Sequence, residues 1–141
     1  IVGMAAAAQA AHAALAESAA KKRRLSELFL SRVREALPGV VQNGSAVKRL
    51  PGHLNLFFPG ISAELLLILL DQAGIAASAG AACASGALEP SHVLLAMGCN
   101  EREARSSLRF SFGWENTEEE VREAAAIVID RANKLKEDAA P

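Results

Sequence analysis

Between Met4 and Leu37 the chain contains neither proline nor glycine, and it is dense in Ala, Leu, Glu, Lys and Arg. Those residues lose little rotamer freedom in a helix, and none of them breaks one. Leu25, Leu28, Phe29, Arg32, Val33 and Leu37 mark a stripe at helical spacing, and Pro38-Gly39 closes it. One long helix, or two in line, therefore occupies residues 3–37, and its stripe must be covered by the rest of the chain.

After Pro38 the sequence is punctuated. Asn43-Gly44, Pro51-Gly52 and Pro59-Gly60 are turn pairs that leave room only for short strands, at Val40-Val41 and from His53 to Phe58. Ser62 can cap a helix over Ala63 to Ala73 that ends at Gly74. Its Leu/Ile run is apolar all round, so it is expected to be buried on most sides. Ile75 to Ser78 reads as a further strand. Pro90 suits the first turn of a helix ending at Gly98, and Asn100 with Glu103 offers a capping box for another helical turn. In SLRFSFG the alternation is strict, with Leu108, Phe110 and Phe112 on one face and Arg109 and Ser111 on the other. Thr117 with Glu120 opens a terminal amphipathic helix carrying Val121, Ala125, Val128, Ala132 and Leu135, and the tail EDAAP is expected to fray.

With 141 residues the chain is long enough for one cored domain and too short for two, so residues 1–141 are expected to form a single unit. Strands separated by helices, with one sheet face to cover, predict a two-layer α/β (α+β) fold: a long N-terminal helix and a small three- to four-stranded sheet covered by helices. The composition, 51% apolar and 22% charged with a net charge of -1, is that of an ordinary soluble protein and gives no electrostatic ground for a nucleic-acid partner. The longest apolar run, Leu65 to Leu70, is far below the ~20 residues that span a bilayer, so neither a membrane role nor export is expected and the location predicted is the cytoplasm. The chain opens on Ile1 rather than methionine and runs straight into a helical pattern, as a piece of a longer protein would.

Two cysteines are present, Cys83 and Cys99, and both are expected as free thiols. Cys83 sits in SAGAACASGALEPSHVLLAMG, among small residues with Gly80 and Gly86 as hinges. From residue chemistry two readings stand level: a travelling nucleophile, or a small apolar side chain in a packed loop. Cys99 directly follows Gly98, lacks such surroundings and reads as inert. A zinc site from Cys83, Cys99 and two of His12, His53 and His92 lacks short ligand spacing, so no metal is expected. Arg109 can offer a planar two-pronged hold to a carboxylate, or can serve in a surface ion pair. His53 and His92 read as structural, and the basic run Lys21 to Arg24 as a solvated helix face rather than a docking patch.

Taken in order, RLPGHLNLFFPG, SAGAACASGALEPSHVLLAMG and SSLRFSFGWENTEEEV, with the opening IVGM, resemble the C-terminal part of the cysteine desulfurases, pyridoxal-phosphate enzymes of the class V aminotransferase group. The likeness covers nearly the whole chain and implies the small domain of a fold-type I enzyme of this kind. It implies that the complete enzyme, a homodimer, removes sulfur from L-cysteine to give L-alanine and an enzyme-bound persulfide. Cys83 would be the nucleophile and persulfide carrier, and Arg109 would hold the substrate carboxylate. The length of the segment before LEPSHVL is similar to the branch that hands sulfur to iron–sulfur scaffolds or other sulfur-carrier proteins. One departure matters: none of Lys21, Lys22, Lys48, Lys134 or Lys136 has the His-Lys-glycine surroundings of the family's cofactor lysine. Pyridoxal phosphate is therefore expected in the complete enzyme and not on this chain, which alone should be inactive because a thiol without an electron sink has no route to cleave a C–S bond. Two alternatives are a stand-alone persulfide carrier and a related selenocysteine lyase.

Overall fold

The computed structural model of the chain describes residues 1–80 and 90–138. Its elements run α1 (Val2–Ala13), α2 (Leu15–Ala36), β1 (Val41–Gln42), β2 (His53–Phe57), α3 (Ala63–Gln72), β3 (Ser78–Ala79), α4 (His92–Ala96), α5 (Glu101–Arg105), β4 (Ser107–Ser111) and α6 (Glu118–Asp138). Among the described residues the strands form one antiparallel sheet in the order β1-β2-β4-β3. Late-arriving β4 thus lies inside the sheet, between β2 and β3, and places the Arg109 face at its centre.

The sheet is covered on one side. Leu54 and Leu56 from β2 and Leu108 and Phe110 from β4 point into a core shared with Leu25, Phe29 and Val33 of α2, Leu66 and Leu70 of α3, and Val121, Ala125, Val128 and Ala132 of α6. Phe29 is the hinge pin of this layer: its ring centroid lies 4.9 Å from that of Phe110 and 5.4 Å from that of Phe112, both tilted. The result is the two-layer α+β architecture that the alternation of strand and helix patterns requires.

The helical stretch before Pro38 is two helices in line, parted at Ala14 (φ -90°, ψ 0°) without a glycine or proline. Only α2 has buried residues, because its stripe faces the sheet; α1 has none. Arg32 lies outside the buried stripe and is exposed, as a long charged side chain beside a dry core must be. The basic run has intramolecular partners: Lys21 Nζ donates to the Trp114 carbonyl, and Arg24 Nε is 3.0 Å from a Glu118 carboxylate oxygen.

Several element boundaries depart from the sequence reading, four of them for a clear local reason. Val40 does not pair; its N–H bonds the Leu37 carbonyl, so β1 starts at Val41 opposite Phe57. The strand expected from Ile75 is only Ser78–Ala79, because Ile75 N–H bonds the Leu70 carbonyl and Gly74 N–H that of Asp71, closing α3 with a Schellman motif. Pro90 precedes the helix start, since Ser91 is the cap and accepts from Leu94 N–H. The terminal helix extends through Glu137 to Asp138, while 139–141 lie outside the described residues. Helix α3 is the larger correction: it is buried along one side only, through Ala63, Leu66 and Leu70, while Leu65 and Ile68 are 53% and 48% exposed. A single helix layer offers α3 neighbours on one flank, chiefly α6 and the sheet, so apolar character all round does not bring burial all round.

Candidate active site

Around Arg109 the side of the sheet away from the core is polar, and strand register decides what meets there. Arg109 on β4 stands between Asn55 of β2 and Ser78 of β3. Because side chains alternate, His53 lies on the same face two residues before Asn55, and Ser107 and Ser111 flank Arg109 along β4. Arg109 is half-buried, and its Nη2 donates to Ser78 Oγ at 3.3 Å.

A second cluster fixes the neighbouring part of this face. The Asn43 amide, in the turn after β1, donates to Asn55 Oδ1 at 2.8 Å and to Ser107 Oγ at 2.9 Å. The Ser107 hydroxyl donates onward to the Glu103 carbonyl at 2.7 Å. The turn after β1, strands β2 and β4, and α5 are thereby tied by side chains as well as by backbone, a network whose members satisfy one another in a partly dry setting. Arg49 closes the far end: its Nη1 donates to the His53 carbonyl at 2.9 Å. Burial, reinforced by the charges of Arg109 and then Arg49, holds the His53 imidazole below the usual 6.5.

Between this face and α4 lies a cleft of about 270 Å³, bordered by Asn43, Lys48, Arg49, His53, Asn55 and Met97. Among the described residues no carboxylate stands within ion-pair distance of Lys48, Arg49 or Arg109. Arg49 and Arg109, both half-buried and both near enough to act on the His53 charge, give this face a positive character that favours an anionic ligand. A planar guanidinium offers such a ligand two parallel N–H donors, which suits a carboxylate.

The expected site residues separate. Cys83 lies outside the described residues. Cys99 is half-buried: its Sγ is 3.9 Å from Asn43 Oδ1, and its N–H bonds the Leu94 carbonyl in the Schellman closure of α4. His12 and His92 are exposed on α1 and α4, and among the described residues no group of three or more His, Cys, Asp or Glu is placed to hold a metal ion. No helix among the described residues is long and apolar enough to cross a membrane. Sequence reasoning found Arg109 but missed Ser78, Asn55, Asn43 and Ser107, whose meeting depends on which strands pair. The Asn-Gly pair at 43–44, read there only as a turn, was the available hint.

A carbonyl cofactor needs a lysine amine inside a closed site. Lys134 and Lys136 are exposed on α6, and Lys48 is exposed at the rim of the cleft. Lys21 is engaged with the Trp114 carbonyl, and the Lys22 stem packs on Gly52, where an added Cβ would come within 2.9 Å of Lys22 Cβ. The lysines of this chain do not fit a pyridoxal-phosphate anchor.

Residues 1–123 match the family model described as aminotransferase class-V. Similar proteins include a cysteine desulfurase IscS of Pseudomonas putida (strain GB-1), 44% identical over 97% of this chain and 33% of that protein. A putative cysteine desulfurase of Bacillus subtilis (strain 168), IscS 1, is 44% identical over 82% of this chain and 31% of its own length. The solved structure of a NifS-like protein superposes with a TM-score of 0.81 at 30% identity, covering 95% of this chain and 33% of the other. The chain thus spans about a third of the length of the relatives it matches.

Proposed function

The chain belongs to the class V aminotransferase family, and from that premise we propose that it is the small domain of a cysteine desulfurase, carrying the substrate-carboxylate arginine and the sulfur-accepting cysteine. That family implies dependence on pyridoxal phosphate. Since the lysines here do not fit its anchor, the cofactor belongs to the part of the relatives that this chain does not span.

The observation that carries the proposal is Arg109: a half-buried guanidinium on the polar sheet face, with no carboxylate paired to it among the described residues. In the net reaction the C–S bond of L-cysteine breaks, its sulfur forms an S–S bond with Cys83, and L-alanine leaves. Cys83 is oxidised to the persulfide and the substrate carbon is reduced, so no outside oxidant is needed. Arg109 would fix the carboxylate end of the substrate. The Gly80 to Gly86 stretch of small residues supports the assignment of Cys83, because Gly, Ala and Ser do not crowd a thiol that must accept sulfur and then deliver it. With this reading go a homodimeric enzyme and an iron–sulfur scaffold or sulfur-carrier protein as acceptor, which the family resemblance implies, and the cytoplasmic location expected from the sequence.

The test is to supply L-cysteine and pyridoxal phosphate to the full-length protein and to this chain alone, and to quantify alanine. Alanine from the full-length protein only is the expected result. Alanine from neither, with persulfide appearing on the chain when a persulfide donor is given, would replace the enzyme by a stand-alone carrier. Faster turnover of selenocysteine than of cysteine would make it a selenocysteine lyase.

A further inference from the structure

Ser78 is the residue of β3 that pairs in register with Arg109, and its hydroxyl accepts from Arg109 Nη2 at 3.3 Å. The strand around it is two residues long and lies at the edge of the sheet. Ser78 is itself half-buried, so water competes only partly for that hydroxyl. On the other side of Arg109, the Asn55 side-chain oxygen Oδ1 accepts from the Asn43 side-chain amide.

An arginine side chain has large rotamer freedom, and a ligand that must freeze it loses that entropy from its own binding. A guanidinium already tethered at one nitrogen presents its remaining N–H donors in a fixed plane. Resting on the reading that Arg109 holds the substrate carboxylate, we infer that Ser78 is a positioning residue: it accepts one N–H of the guanidinium and sets the angle at which the others meet the carboxylate. Ser78 touches the arginine and not the bond that breaks, so its effect belongs in substrate binding rather than in the chemical step.

The experiment compares Ser78→Ala, Ser78→Thr and Arg109→Ala in the full-length enzyme, measuring KM and kcat for L-cysteine. The same variants are assayed for binding of cysteamine, which keeps the amine and thiol but lacks the carboxylate. For Ser78→Ala the expected result is a KM raised on the order of 5- to 10-fold with kcat little changed. Cysteamine binding should stay at the wild-type level, and Ser78→Thr, which restores the hydroxyl, should return KM close to wild type. An unchanged KM in Ser78→Ala, beside a raised one in Arg109→Ala, would overturn the positioning role while leaving the arginine in place. Equal weakening of L-cysteine and cysteamine would overturn it as well, because the serine would then support the fold. An unchanged KM in Arg109→Ala would instead remove the reading on which the inference rests.

Discussion

An arginine facing the open side of a sheet, with a serine as its hydrogen-bond partner among the described residues, keeps most of its donors for a ligand, and that makes Arg109 the residue whose replacement is most informative. In the full-length enzyme Arg109→Ala should weaken L-cysteine binding by about 2–4 kcal/mol, the cost of leaving a buried carboxylate unpaired. Arg109→Lys should recover only part of this, because an ammonium cannot reproduce two parallel N–H bonds. Substrate saturation curves decide the matter, and an unchanged apparent affinity for the alanine variant would make the arginine structural. His53 reports on the same charge without any substrate. Its imidazole is held down first by burial and then by Arg109 and Arg49, so its proton NMR titration should centre below 6.5, and Arg109→Ala should move the midpoint upward. The sign for stability follows. Below 6.5 the unfolded chain takes a proton that the folded chain resists, so His53 lowers stability as pH falls from 6.5 toward its folded value and has no effect above 6.5. A midpoint unmoved by Arg109→Ala would show that burial and Arg49 set the value without Arg109.

At the scale of elements, the turn before β2 and the aromatic seam under the sheet are the points where small changes cost most. Gly52 has φ +75°, and a Cβ there would lie 2.8 Å from the Phe112 carbonyl oxygen and 2.9 Å from Lys22 Cβ. Gly52→Ala therefore combines an unfavourable backbone with overpacking and should destabilise by about 2–4 kcal/mol in urea denaturation. Loss of less than about 0.5 kcal/mol would mean that the turn relaxes freely. Phe29→Ala, which empties the space between Phe110, Phe112 and α2, should cost about 3–5 kcal/mol. Element type was readable where the period was long and regular: α2, β2, β4 and α6 all lie where the spacing of apolar residues puts them. The misreadings fall where a hydrogen bond outside any periodic pattern decides, as with Ile75 in the closure of α3 or Ser91 ahead of α4. The exposure of Leu65 and Ile68 was illegible for another reason, since how many neighbours a helix meets is a property of the layer and not of the helix.

For the whole molecule, β4 is last of the strands in sequence yet central in the sheet, and this one topological fact assembles the candidate site. Arg109 was legible as a candidate from alternation alone, because a lone cation opposite three apolar residues must face away from the core. Asn43, Asn55, Ser78 and Ser107 were not, since they converge only after β1, β2, β3 and β4 find their order. The chain covers about a third of the relatives that it matches, so its polar face is read as one wall of a site whose other walls belong to the full-length protein. The most direct test of that account is to treat the full-length protein with L-cysteine, trap the product, and map by mass spectrometry which peptide has gained a sulfur atom. The account predicts one added sulfur on Cys83, none on Cys99, and alanine formed in equal amount before any acceptor is supplied. Alanine formation with no sulfur on Cys83, or with the sulfur on Cys99, would contradict it.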